Sequence, residues 1–213
     1  MDPAPIEPTP DSATRHPRRS FAQSLPLVLI GAGVLAVAVG VAVVPPDRTL
    51  GSSVRLVFFH GAVTWTGIVM AWTAGVLGLA FLLLRRPDAR RVWLVLSMAA
   101  LFWAGSLAIS FPVMTMTWGG VLWNEPKLLM SAEVVTALLL AWGVGLVAER
   151  PRLTAALALA SLIVMVVLLT ITPGAFHPDN PIMASGDMRY IGTFGVIVAG
   201  LLGISGGLVL TGR

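Results

Sequence analysis

Cysteine is absent from all 213 residues. A disulfide, a thiolate nucleophile, Cys-ligated zinc or iron-sulfur clusters and any thioether-linked cofactor are thereby excluded. Histidine occurs three times, so metal chemistry has only those imidazoles, methionine and oxygen ligands to draw on. Charge is also scarce, at 11% of residues, whereas 56% are hydrophobic and the mean hydropathy is +0.88. A soluble core with a polar surface does not have that balance, and the chain reads as an all-α polytopic membrane protein. The net charge of +4 is small and falls at loop positions. It therefore speaks to orientation in a bilayer and gives no reason to expect a nucleic-acid partner.

Residues 1–22 are rich in Pro and polar side chains and read as a disordered cytoplasmic tail, leaving 23–213 as one membrane domain. Arg18-Arg19-Ser20-Phe21 resembles an export signal, but the run that follows is long, has no small-residue cleavage site and reads as a retained first span. Six apolar runs, at about 25–44, 57–84, 92–112, 128–148, 153–172 and 191–211, each approach the length that crosses about 30 Å of hydrocarbon. Pro, Gly and charge separate them, as in Arg85-Arg86-Pro87-Asp88 and Glu149-Arg150-Pro151-Arg152. Ten basic residues fall on one side and four (Arg48, Arg55, Lys127 and Arg189) on the other. The positive-inside rule makes the former side cytoplasmic, with both termini inside. The expected location is the cell (inner) membrane.

The stretch Trp118-Gly119-Gly120-Val121-Leu122-Trp123-Asn124-Glu125-Pro126-Lys127-Leu128 makes poor bilayer filler. Its charges are costly in hydrocarbon and its indoles favour the boundary, so it is expected at the outer interface. His60 precedes Arg85 by 25 residues, His177 follows Arg152 by 25, and Glu125 precedes Arg150 by 25. At helical rise each stands about 37 Å from the inner boundary, just outside the hydrocarbon. A lone interfacial His is as often a hydrogen-bonded helix-end residue as a ligand, and His177 alone is an ordinary loop residue. The pair says more, because two neutral imidazoles from separate segments suit the axial positions of a haem. Gly61 and Ala62, after His60, are small enough to admit a planar ligand. Phe58, Phe59, Phe111 and Phe176 are expected beside Trp118 and Trp123 to line it. Glu125-Pro126 reads as a helix start, which is by itself sufficient reason for the acid. Lys127, Arg55 and Arg189 are the outer cations available to propionates, or else snorkel to headgroups.

Trp118-Gly119 followed by Glu125-Pro126-Lys127 resembles the tryptophan-rich (WWD) signature of the haem-handling proteins of cytochrome c biogenesis, W-G-x-x-W-x-W-D-[AP]-[RK]. The six-span layout over residues 25–213 is similar to the cytochrome c maturation protein C branch, as a divergent member. That resemblance matches His60 and His177 to the family's axial ligands, Arg55 to its Arg five residues before the first His, and Glu125 and Lys127 to its last acidic and basic positions. The chain departs where the signature has its second and third tryptophans, having Leu122 and Asn124 with Trp123 between them. A polar pair inside the family's fourth helix is offset to Ser131 and Glu133.

The resemblance implies a carrier and not an enzyme, holding haem b noncovalently and transiently. His60 and His177 would be the metal ligands, and Arg55, Trp118, Gly119, Trp123, Glu125 and Lys127 would complete the seat. The carrier would present haem to an extracytoplasmic haem chaperone for attachment to apocytochrome c, beside ABC transporter subunits and a small membrane partner. The alternatives are the haem lyase component of the related system and a b-type electron-transfer subunit. The second would carry His pairs within the bundle, where this sequence has none. A small-solute permease is disfavoured by the lack of polar residues facing a common mid-membrane cavity. Glu133, the one charge deep in a predicted span, reads either as part of a proton or ligand path or as a carboxyl bonded to a neighbouring Ser or Thr.

Overall fold

The structure, a computed structural model, describes residues 21–86, 88–174 and 181–212. These form α1 (Phe21–Val43), α2 (Val54–Leu84), α3 (Ala89–Trp118), α4 (Pro126–Ala148), α5 (Pro151–Ile171), the single turn α6 (Pro181–Ala184) and α7 (Met188–Thr211), with no strand among the described residues. Six of the helices are long and apolar enough to cross a membrane. The protein is thus an all-α, multi-pass membrane protein.

Local chemistry sets the helix ends. Arg85 takes a left-handed conformation (φ 57°) and donates its N–H to Phe81 O, closing α2. Asp88 then caps α3 by accepting the Arg90 N–H at 3.3 Å. Pro126 and Pro151 occupy first turns, where a missing N–H costs nothing. The structure departs from the expected spans at the end of α3. The helix runs through Pro112 and on to Trp118, so this Trp belongs to α3 and not to a separate interfacial segment. Gly119 stops it there at φ 78°, donating its N–H to Thr115 O. With 31 and 30 residues, α2 and α3 are each about 45 Å long, well beyond the hydrocarbon thickness.

Helix α2 is shared between two cores. One joins its C-terminal half to α3, α4 and α5 around Leu96, Trp103, Leu138 and Met165, all fully buried. The other joins its His60 half to α1, α6 and α7 around Phe58, Ala62, Phe194 and Ile197. Close approach depends on glycine, as expected where lipid on the alternative side leaves little hydrophobic drive between helices. A Cβ on Gly33 would lie 2.5 Å from Gly200 O, and one on Gly78 would lie 2.5 Å from Ala155 O. The α1/α7 and α2/α5 contacts therefore bring backbone against backbone.

Candidate ligand site at the His60 end of the bundle

The register of α2 against α3 fixes the height of His60. Thr64 Oγ1 donates to His60 O at 2.9 Å and is hydrogen-bonded in turn to Ser106 Oγ of α3. Gly67, one turn deeper, faces Trp103, while Val63 lies next to Gly105. His60, Val63, Thr64 and Gly67 follow the i, i+3, i+4, i+7 spacing of one helix face, so His60 belongs to the stripe turned towards α3. Four residues outward from Thr64 is His60, and four outward from Ser106 is Ser110, adjacent to Phe111. In an antiparallel pair these stand at one height.

Phe111 brings in the loop after α3. Its ring lies 5.7 Å from that of Trp123, tilted by 45°. The chain thus folds back from Gly119 so that the Trp123 indole covers the end of α3, yet Trp123 remains 70% exposed. Around Gly119 and Gly120 there is open space, since a Cβ on either would meet nothing within 4 Å. His60 is part-buried, with Nδ1 shielded from solvent.

Glu125 is not explained by capping. It occupies the N-cap position of α4, but its side chain makes no capping hydrogen bond. Instead the carboxyl is turned inward, 1% exposed, and neither oxygen has a hydrogen-bond partner among the described residues. An unsatisfied buried carboxyl costs free energy, so the sufficiency of a helix-start role is withdrawn.

Other expected members divide. Phe58 does not line an open surface; it is 3% exposed and packs against Tyr190 and Phe194, at centroid distances of 5.3 and 6.3 Å. The gap beside Gly61 is closed to a planar ligand as well, because its Cβ position lies 3.3 Å from the Phe194 ring and 3.9 Å from Ile182. Helix packing uses both, so the α7 side of His60 is filled and the α3–α4 loop side is open. Arg189 is committed locally, with its guanidinium 3.0 Å from Asp187. That contact, with the Arg189 backbone N–H, holds the Asp187 carboxyl below the usual carboxylate range. Arg55 is exposed, on a face about 140° round α2 from His60. Lys127 lies part-buried in the first turn of α4.

His177, Phe176 and the tail, with His16, lie outside the described residues. The helical ruler for His177 stops short, since α5 ends at Ile171. Among the described residues no group of three or more His, Asp or Glu could hold a metal ion by itself. Glu133 is not part of this end. The Trp93–Trp142 stack (6.3 Å) aligns α4 with α3 so that Glu133 stands level with Phe102, about 12 Å deeper than His60. Ser131, its expected companion, donates to Lys127 O at 2.7 Å within its own helix. Tyr190, which closes over Phe58, was not singled out in the sequence; as a lone Tyr after Asp-Met-Arg it carried no signal beyond helix start.

No protein-family model matches the chain, and no curated protein matches it. The class defined by the helices is that of a six-span, all-α membrane protein.

Proposed function

We propose that the protein binds haem b noncovalently and transiently at the outer face of the cell membrane. It presents this haem to an extracytoplasmic haem chaperone for attachment to apocytochrome c, in company with ABC transporter subunits and a small membrane partner. The observation that carries the reading is the shared height of His60 and the Phe111–Trp123 pair, next to a loop whose Glu125 carboxyl is buried without a hydrogen-bond partner. An open, aromatic-edged surface beside an imidazole and a buried carboxyl without a hydrogen-bond partner suits a ligand that completes it.

The residues fit a porphyrin on one side only. His60 would supply one axial imidazole, and the open α3–α4 loop, with Trp118, Gly119 and Trp123, would flank the macrocycle; the Gly61 side has no room for it. His177 is the second axial candidate. Arg55 and Lys127 would face the propionates, while Arg189 is paired with Asp187. The haem would supply its own iron chemistry, and the chain's task is to hold, orient and release it.

The test is the absorption spectrum of the purified protein titrated with haem, beside those of His60→Ala and His177→Ala. A Soret band that shifts in both variants is expected. A band identical in all three proteins removes the axial assignment and leaves only the six-span scaffold.

A further inference from the structure

The loops at the arginine-rich end of the bundle, residues 85–91 and 149–152, hold six arginines against two carboxylates. Helix α3 starts at one of these loops, while α4 ends and α5 starts at the other. The three helix ends enclose a shallow groove of about 210 Å³, lined by Arg90 and Trp93 of α3, Leu146 of α4, Glu149 of the turn, and Pro151 and Thr154 of α5. Beneath it the helices meet at buried Gly145, whose Cβ would lie 3.3 Å from Thr154 Oγ1 and 3.4 Å from Trp93 Cδ1, so the groove leads no deeper. With 23 and 21 residues, α4 and α5 are about 35 and 32 Å long, close to the hydrocarbon thickness, which puts their shared end at the membrane boundary. Two unlike charges face this one groove, and both are exposed. They do not satisfy each other, because Arg90 and Glu149 form no ion pair with one another or with any other described residue.

We infer that the groove seats the zwitterionic headgroup of phosphatidylethanolamine, its phosphate on Arg90 and its ammonium on Glu149. Charge complementarity selects the head. A phosphate accepts from a guanidinium, and a primary ammonium donates to a carboxylate, so one phosphoethanolamine answers both unpaired groups. An anionic head satisfies Arg90 and leaves Glu149 facing a like charge, and a choline head has no N–H to offer the carboxylate. Membrane level and the apolar walls favour a lipid over a soluble zwitterion. Inward along the Leu146 side of α4, a Cβ on Gly143 would meet nothing within 4 Å and Leu139 is 45% exposed, so an acyl chain can run from the groove down a bilayer-facing surface. Trp93 supplies the amphipathic ring that suits this boundary.

The test is native mass spectrometry of the full chain in detergent, titrated in turn with phosphatidylethanolamine, phosphatidylglycerol and phosphatidylcholine of identical acyl chains. The ethanolamine lipid is expected to bind most tightly. Arg90→Gln should weaken it by roughly two- to five-fold, the range of one exposed ion pair, whereas Arg86→Gln, at the same end but outside the groove, should leave it unchanged. Glu149→Gln should remove the preference for phosphatidylethanolamine over phosphatidylglycerol. Ala89→Phe, which fills the groove without altering charge, should weaken the ethanolamine lipid too. Circular dichroism shows that each variant keeps its helices. Phosphatidylglycerol binding as tightly as phosphatidylethanolamine, equal losses in Arg86→Gln and Arg90→Gln, or a preference that survives Glu149→Gln overturns the proposal, because attraction to the arginines as a group would then suffice. Any of these outcomes leaves the haem reading as it stands, since the groove lies at the opposite end of α3 from Trp118.

Discussion

Replacing Glu125 with Leu separates a structural role from a functional one. The carboxyl is 1% exposed and both oxygens lack hydrogen-bond partners among the described residues. Leaving a buried polar group unsatisfied costs about 1–3 kcal/mol, and Leu, larger than Glu by about one methylene, removes that cost without opening a cavity. Glu125→Leu is therefore expected to stabilise the apo protein by about 1–3 kcal/mol, which for a chain of this size raises the melting midpoint by roughly 2–12 °C. Glu125→Gln keeps a polar group in the same place and should gain little. If the carboxyl is held there for a ligand, the stabilised variant must bind haem more weakly, as residues kept against local stability do at functional sites. Thermal unfolding in detergent by circular dichroism measures the first effect, and haem titration by absorbance the second. A Glu125→Leu protein destabilised by more than about 1 kcal/mol with unchanged haem binding would refute the reasoning, because the carboxyl would then have a structural partner and no share in the site.

Gly200→Leu forces a side chain into the 2.8 Å gap before Gly33 O and should separate α1 from α7 at a cost of about 1–3 kcal/mol, read as a lowered melting midpoint. Thr64→Val removes the hydroxyl between His60 O and Ser106. It should cost about 0.6–1.7 kcal/mol and broaden the haem spectrum by loosening the α2/α3 register, whereas Thr64→Ser should restore both. Asp187 is held below the ordinary carboxylate range, first by the Arg189 side chain and then by its backbone N–H. A depressed folded value means that its contribution is present above the unfolded value of about 3.9 and is lost as pH falls through the lower one. Protection of the Arg189 and Ile191 amides, taken as exchange relative to the intrinsic rate at each pH, should therefore fall below about pH 4 and stay constant between about pH 5 and 8.

The spans were legible because twenty apolar residues between Pro, Gly and Arg separators admit one physical solution in a bilayer. Less legible was the end of α3. Met114-Thr115-Met116-Thr117 has neither the hydropathy of a span nor the turn residues of a loop, and only the left-handed Gly119 decides that Trp118 stays helical. The heights of His60 and Glu125 could be counted from the arginines, since α2 and α4 are unbroken helices over that distance. The faces could not. Whether Gly61 admits a ligand depends on Phe194, more than a hundred residues away, and whether Phe58 is lining or core depends on Tyr190. A hydropathy pattern that is apolar all round conceals which side of α4 meets protein, so Glu133 was placed in depth but not in direction.

The two cores meeting on α2 have different consequences for the open end. Around Trp103 and Leu96 the helices fit closely through α3, α4 and α5, and a Cβ on Gly67 would lie 3.0 Å from the Trp103 indole, so the Thr64–Ser106 bond rests on a rigid base. One turn beyond that bond, the α7 side of α2 is still sealed by Phe58, Phe194 and Ile182, whereas the α3 side opens onto the loop from Gly119 to Asn124. His60 thus sits where a braced helix pair changes from packed to open, which fixes its backbone while leaving space for a ligand on one face. A carrier needs that asymmetry. A seat closed on both sides would hold haem too firmly to pass on, and a seat with no braced ligand would not orient it for a partner.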